Sequence, residues 1–398
     1  MSELLIRPGR NDHRVIEELL GHSPTGGQRL VSGLVLDAQV AAARPQFAEM
    51  AEAHDTTVII DPLTFLLQTE GGGDDSWVRL SFGRPEAVPP DELADPDVLA
   101  TLVAEVVSFE LEHGATAIVP PYLLIGDDYL TLDVSCALLQ RTREYVDAQG
   151  LGLPIIPVLA LGISATRKPA DLFSSLGAVS RVAESIEPQA IAIALSGTGG
   201  GDDGDRSVRA VLQAVRMLSR SGAKVLAWRQ GLLGPAAVAV GAAGYESGIG
   251  IREKCDLVGM QRARRPVPSK AGFGMPAGVF LSAFGRSFKK PVASALLEDE
   301  QLADQLACKD SSCCHDGSQS TLGDPRRHAV VSRAGFLREL DAMGDDRRRL
   351  SAIEGWAEAG ADLAELSTEV LRSKGKKDSV NSKALNVLAT ASDLVEEG

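Results

Sequence analysis

"AIAIALSG", residues 190–197, is the stretch on which the fold turns. It is a short apolar run, closed by Ser-Gly, with no polar face, and it reads as a fully buried strand. A strand that is apolar on both faces must be covered on both. Parallel sheets flanked by helices meet that condition. A helical pattern over 169–187 precedes the stretch, and another over 205–221 follows it. The alternation continues in both directions. Upstream lie "GLVLD" (33–37), "TTVIID" (56–61), "ATAIVPP" (115–121) and "LPIIPVLALG" (153–162). Downstream lie "AKVLAWRQG" (223–231), "GYESGIG" (244–250) and "GVFLSAFG" (278–285). Eight strand–helix units in about 270 residues predict an α/β fold of the (β/α)8 TIM-barrel type, with a doubly wound sheet as the second option. The barrel is expected over 1–305, with a Gly-, Pro- and Asp-rich insertion at 62–96 after the second strand. A Cys/His segment and a C-terminal helical region, together an appendage, are expected over 306–398.

Composition narrows the function classes. The chain has 398 residues, 44% of them hydrophobic, and a formal charge of −14. This is a globular composition, and its charge opposes nonspecific attraction to nucleic acid or anionic membranes. The longest apolar run contains two prolines and is too short to span a bilayer, and no signal-like segment is present. A soluble, cytoplasmic protein with no membrane partner is expected.

Three of the five cysteines fall within "CKDSSCCHDG" (308–317). That crowding argues against a disulfide framework. Cys308, Cys313, Cys314 and His328 supply three thiols and an imidazole, the ligand types of a structural zinc site. His315 is the other candidate for the fourth ligand, and incidental thiols are the bland alternative.

In a barrel, polar residues at the C-terminal ends of strands are candidates for the active site. Asp37, Asp61, Glu246 and Asp256 stand at or near such ends, with Trp228, Arg229 and Gln230 after the sixth run. Carboxylates on opposite sides of one mouth can divide nucleophilic and acid–base work when their surroundings separate their pKa values. Each also has a structural reading: Asp61 as a turn residue before Pro62, Asp256 on a helix surface, Glu246 paired with Arg229, Asp37 ordering the mouth. "QRARRPVPSK" (261–270), with Arg262, Arg264 and Arg265, is either a phosphate-binding loop or a solvated one. "SGTGGGDDGD" (196–205) lacks the Lys-Ser/Thr of a phosphate loop, and its aspartates would repel phosphate.

The order of parts resembles the tRNA-guanine transglycosylase family, whose barrel precedes a small zinc-bearing subdomain. "DPLTF" (61–65) resembles that family's D-S-G-G-F motif in its aspartate and phenylalanine. "CDLVGMQRARR" (255–265) resembles the segment in which the nucleophilic aspartate precedes an arginine-bearing loop, and "VSRAGFLREL" (331–340) the helix after the family's cysteines. The resemblance implies a glycosyl-transferring enzyme that exchanges or binds a base in tRNA or DNA. Asp256 would be the nucleophile and Asp61 the second carboxylate, with Glu246 beside them. Phe65 and Trp228 would stack on the base, while Arg229, Arg262 and Arg265 would meet the backbone or base. Two other readings stand beside it: a small-molecule barrel enzyme of lyase or aldolase type acting on a phosphate- or carboxylate-bearing metabolite, and a non-catalytic binding protein. A homodimer is compatible with all three.

Overall fold

The computed structural model describes residues 1–21, 29–72, 75–126, 128–162, 169–250, 252–264 and 278–396. Its main sheet contains β1 (Glu3–Arg7), β2 (Gly33–Asp37), β3 (Thr57–Asp61), β4 (Val158–Leu161), β5 (Ile191–Leu195), β6 (Val225–Ala227) and β7 (Gly244–Gly248). All neighbours are parallel, in the order β3-β2-β1-β7-β6-β5-β4. The two ends are joined by segment 115–119. Ala117 bridges to Ile59 of β3, and Ile118 bridges to Ile155 just before β4. Thr116 N–H donates to the Val58 carbonyl at 2.8 Å, and Ile118 N–H to that of Pro154 at 2.8 Å. The sheet therefore closes into a (β/α)8 barrel of eight parallel staves. Pro120, Pro121, Pro154 and Pro157 bring no N–H to the ladder, which accounts for the short pairing of the fourth stave.

The staves differ from the sequence expectation in one respect. Glu3–Arg7 is the first stave, and residues 278–285 are not a stave. Val279–Leu281 (β8) instead pairs antiparallel with Arg286–Phe288 (β9). The chain reverses between them at Gly285, whose φ of +62° is readily adopted only without a side chain.

The helices cover the barrel by apolar spacing. In Asp205–Arg220 the buried residues Val208, Val211, Leu212, Val215 and Leu218 recur at helical intervals and face the sheet. Helix Pro96–Glu112 starts on Asp95, whose carboxylate accepts the Asp97 and Val98 amides at 2.9 and 3.2 Å.

Helix Pro325–Ala342 lies against β1. Its start is tied by Arg326–Asp12 at 2.9 Å and Arg327–Glu18 at 2.8 Å. Its end is tied by Asp341, which accepts from the Ser2 amide at 2.7 Å and the Ser2 hydroxyl at 2.6 Å. It is thus the outer helix between the last stave and the first. The connection leading to it from β7 carries the β8–β9 hairpin and the cysteine segment. Helix Asp346–Ser373 packs on that hairpin, with Trp356 Nε1 donating to the Ser282 carbonyl at 3.0 Å. No helix among the described residues is long and apolar enough to cross a membrane.

Candidate functional site

The C-terminal ends of β1, β2, β3 and β7, and the turn after β6, bring six charges together. Arg7 ends β1, Asp37 ends β2 and Asp61 ends β3, and Glu246 sits within β7. Arg229 follows β6, and Arg252 follows β7. Arg7 forks onto Glu246, Nε to Oε1 at 2.9 Å and Nη2 to Oε2 at 3.0 Å. The same guanidinium reaches Asp61 Oδ2 at 2.9 Å and Asp37 Oδ1. Arg229 contacts Asp37 at 2.9 Å and Asp61 at 3.3 Å, and its backbone N–H donates to Glu246 Oε2 at 3.0 Å. Arg252 closes the set on Asp37 Oδ2 at 2.6 Å. Three carboxylates and three guanidinium groups balance, and buried charges persist only with such pairing.

Burial within the network is nearly complete. Asp61 and Glu246 are 0% exposed, whereas the Arg252 side chain is 46% exposed. Burial alone would raise the Asp37 carboxyl, but Arg7, then Arg229 and Arg252, outweigh it and hold it well below the usual range. Tyr122 donates to Asp61 Oδ1 at 2.8 Å and Trp228 Nε1 to Asp61 Oδ2 at 3.2 Å. Burial, followed by the neighbouring Asp61 charge, pushes the Tyr122 phenol well up, so it stays a donor. Of the five described non-glycine residues with positive φ, three lie at this place, the others being Asp55 and Glu187. Leu63, Arg229 and Arg252 are non-glycine residues with φ of 55°, 56° and 59°. All three flank the network carboxylates, a distribution seen where side chains are held for function.

Above this floor lies a cavity of about 770 Å³. It is bordered by Asp37 and Arg229 below, by Gly199 and Gly200 after β5, by Arg252, Glu253, Lys254 and Asp256 after β7, and by Arg286–Lys289 of the hairpin. Arg252, Lys254, Arg286 and Lys289 face it against the carboxylates Asp37, Glu253 and Asp256. Arg286 spends its N–H groups on the carbonyls of Gly200 and Asn381, each at 3.3 Å, and lies over the Phe288 ring at 4.7 Å. The Gly-rich loop after β5 is folded onto its own acid: the amides of Gly199, Gly200 and Gly201 donate to Asp203 Oδ2 at 3.0, 3.0 and 3.2 Å. Those amides are engaged by the chain itself.

The structure gathers Asp61, Glu246, Trp228 and Arg229 into the floor. Glu246 pairs through its side chain with Arg7 rather than with the Arg229 guanidinium. Asp256 stands apart and exposed on the cavity wall, capping helix Leu257–Ala263 by accepting the Gly259 amide at 2.9 Å. Phe65 is buried, 5.7 Å from the Tyr122 ring. Arg262 is exposed on the same short helix. Its neighbour Arg264 is buried against the 62–96 insertion, pairing with Asp75 at 2.8 Å and lying over the Trp77 ring at 4.8 Å. Arg265 lies outside the described residues. Sequence reasoning missed Arg7, Tyr122, Arg252, Lys254 and Arg286. For Arg7 a signal existed: "ELLIR" ends on a charge, as "GLVLD" and "TTVIID" do.

A second constellation lies beside the hairpin. Cys308, Cys313, Cys314 and His328 place their ligand atoms within 4.8 Å of one another, so they could hold a metal ion. His328 Nδ1 is 3.4 Å from both Cys313 Sγ and Cys314 Sγ, and those sulfurs are 3.7 Å apart. The adjacent Cys313 and Cys314 therefore do face one point. His328 Nε2 sits 3.1 Å from the Phe280 carbonyl, which fixes the ring and its tautomer from behind. Burial holds the imidazole neutral, its pKa lowered to about 4. His315 is 79% exposed and pairs with Asp316 instead.

No protein-family model matches the chain, and no curated protein does. Several solved structures are similar to it at low identity. Type I 3-dehydroquinate dehydratase from Clostridium difficile shares 12% identity over 66% of this chain and 93% of that one, with a TM-score of 0.37. The YdjI aldolase from Escherichia coli K12 shares 11% over 87% and 93%, TM-score 0.34. The carboxyl transferase domain of Rhizobium etli pyruvate carboxylase shares 12% over 99% and 78%, TM-score 0.37. The transglycosylase resemblance read from the sequence is thereby corrected: the similar structures include a "putative phosphonomutase", a dehydratase, an aldolase and a carboxyl transferase domain rather than transglycosylases. The geometry agrees, since Asp61 is sealed among arginines beneath the cavity while Asp256 caps a helix on its wall.

Proposed function

We propose that the chain is a small-molecule enzyme of lyase or aldolase type, acting at the barrel mouth on a phosphate- or carboxylate-bearing metabolite. The mouth cavity carries this reading: about 770 Å³ is metabolite-sized, and its wall sets Arg252, Lys254, Arg286 and Lys289 around one space. The buried floor keeps its charges balanced and fixed, so an anion above it meets preorganised guanidinium groups rather than mobile ones. Asp256 is the wall carboxylate exposed for proton transfer, while Asp61 and Glu246 hold the arginines in place. The Cys308–Cys313–Cys314–His328 group holds a structural zinc in this reading. Zinc–sulfur bonds of about 2.3 Å in a tetrahedron place sulfurs about 3.8 Å apart, against the 3.7 Å between Cys313 and Cys314.

Calorimetric titration with inorganic phosphate and with malonate tests the mouth. Binding of at least one anion, weakened about tenfold or more in Arg252→Met, is expected, together with no retention on bulk tRNA at moderate salt. Retention on tRNA with no binding of either small anion would overturn the reading.

A further inference from the structure

The metal centre and the mouth are joined by one continuous chain of contacts. His328 faces the thiols through Nδ1, and through Nε2 it meets the Phe280 carbonyl on β8 at 3.1 Å. The Phe280 ring lies under the guanidinium of Arg333, 4.1 Å from its centroid. Arg333 stands five residues after His328 on the same helix and is buried. Its guanidinium pairs at 2.9 Å with Glu253, in the loop after β7 that borders the cavity. Glu253 then distributes the restraint. Its carboxylate accepts from the Ser287 amide at 2.9 Å and the Ser287 hydroxyl at 2.7 Å on β9, and its carbonyl accepts from Gly231 N–H at 2.8 Å after β6. Gly231 permits this approach, because a Cβ there would come within 2.8 Å of Glu253. Arg252, on which the proposed anion site depends, is the residue next to Glu253.

We propose that Arg333 is a positioning residue that couples metal occupancy at the Cys/His centre to anion binding at the mouth. Without the metal, three thiols and an imidazole lose their common point, and the Phe280 carbonyl and ring lose their fixed neighbour. Arg333 and Glu253 then hold the loop bearing Arg252 less firmly, and the anion meets a less organised site. The coupling must be reciprocal, so an anion in the mouth tightens metal binding by the same factor that the metal tightens anion binding. This inference rests on the anion-binding mouth and on the metal reading.

The test uses the full chain, zinc-loaded and chelator-stripped, titrated with inorganic phosphate. Phosphate affinity at least about fivefold tighter in the loaded form is expected. Zinc affinity, measured by chelator competition, should rise by a matching factor when phosphate is present. Arg333→Met should keep its zinc yet lose the coupling, and Arg333→Lys should restore part of it. Equal phosphate affinity in loaded and stripped wild type, or full coupling in Arg333→Met, would overturn the proposal. If neither form binds phosphate, the mouth reading fails separately, and amide hydrogen exchange of the zinc-loaded chains decides the tether. Faster exchange at 252–256 in Arg333→Met than in wild type supports it, and identical protection there removes it.

Discussion

Arg7 and Glu246, on the neighbouring strands β1 and β7, meet in a two-point ion pair of 2.9 and 3.0 Å with neither side chain exposed. The pair fastens the first stave to the last. Arg7 is also the cation shared with Asp37 and Asp61, so one side chain reaches carboxylates on three other strands.

Replacing Arg7 by Met therefore leaves three buried carboxylates with two guanidinium groups. Removal of one partner from a buried pair costs about 3–5 kcal/mol, and a loss of that size is expected in urea denaturation of Arg7→Met. In the double variant Arg7→Met/Glu246→Met the second substitution should cost less than Glu246→Met costs alone, because the stranded charge leaves with it. Strict additivity of the two losses would show that the pair is not a coupled unit.

Asp37 gives a pH dependence of definite sign. Its carboxyl is held below the unfolded value of about 3.9, so the folded chain binds fewer protons there than the unfolded chain at acid pH. The stabilisation is complete above about pH 4 and is lost as pH falls toward the folded value. The stability gap between wild type and Asp37→Asn should therefore be widest near pH 7 and narrow below about pH 4. A gap that stays constant over that range would assign the effect to packing.

Glu110 acts in the opposite sense. It is buried on helix Pro96–Glu112 and, among the described residues, accepts only the Val119 amide, with both oxygens at 3.3 Å. Burial pushes its carboxyl well above the ordinary range, and Asp61 adds to the shift against the opposing Val119 bond. The folded chain then holds a proton that the unfolded chain releases above about pH 4.3, so stability falls as pH rises from that value to the folded one. Glu110→Gln should remove this slope, which is at most about 1.4 kcal/mol per pH unit. The variant should gain on wild type at pH 8 and match it near pH 4. An unchanged slope would mean that Glu110 ionises freely inside the fold.

What could be read from the sequence follows from which forces are local. "VII" (58–60) within "TTVIID" and "AIAIAL" (190–195) announce strands because burial on both faces leaves no polar position within the run. "GVFLSAFG" carries the same apolar signal, yet Gly285 reverses the chain, and a run of hydrophobic residues does not encode the hand of its partner. β1 was missed because three apolar residues between Glu3 and Arg7 are too few to show a period. The Cys/His cluster was legible because its members lie close in sequence and few roles crowd thiols together. The charge network was only half legible. Asp61 ends one strand run and Glu246 lies inside another, but their partner Arg7 comes from a stave 54 and 239 residues away, a pairing that only barrel closure creates.

The Cys/His cluster yields the sharpest expectation. Elemental analysis of the purified chain should find one zinc per molecule, and Cys313→Ser should abolish it. Cys313 is buried between Cys314 Sγ and His328 Nδ1, and a hydroxyl there removes one of four ligands. Structural zinc contributes directly to folding free energy. The variant should therefore melt earlier, with the loss felt first in the hairpin that His328 contacts through Phe280. Cys136→Ser provides the contrast, since Cys136 lies on helix Tyr129–Ala148 outside the ligand cluster. It should retain the metal and the melting temperature within about 2 °C, the shift expected from a change of under about 0.5 kcal/mol. A metal-free wild type with an unchanged melting curve in chelator would leave Cys308, Cys313 and Cys314 as packed thiols.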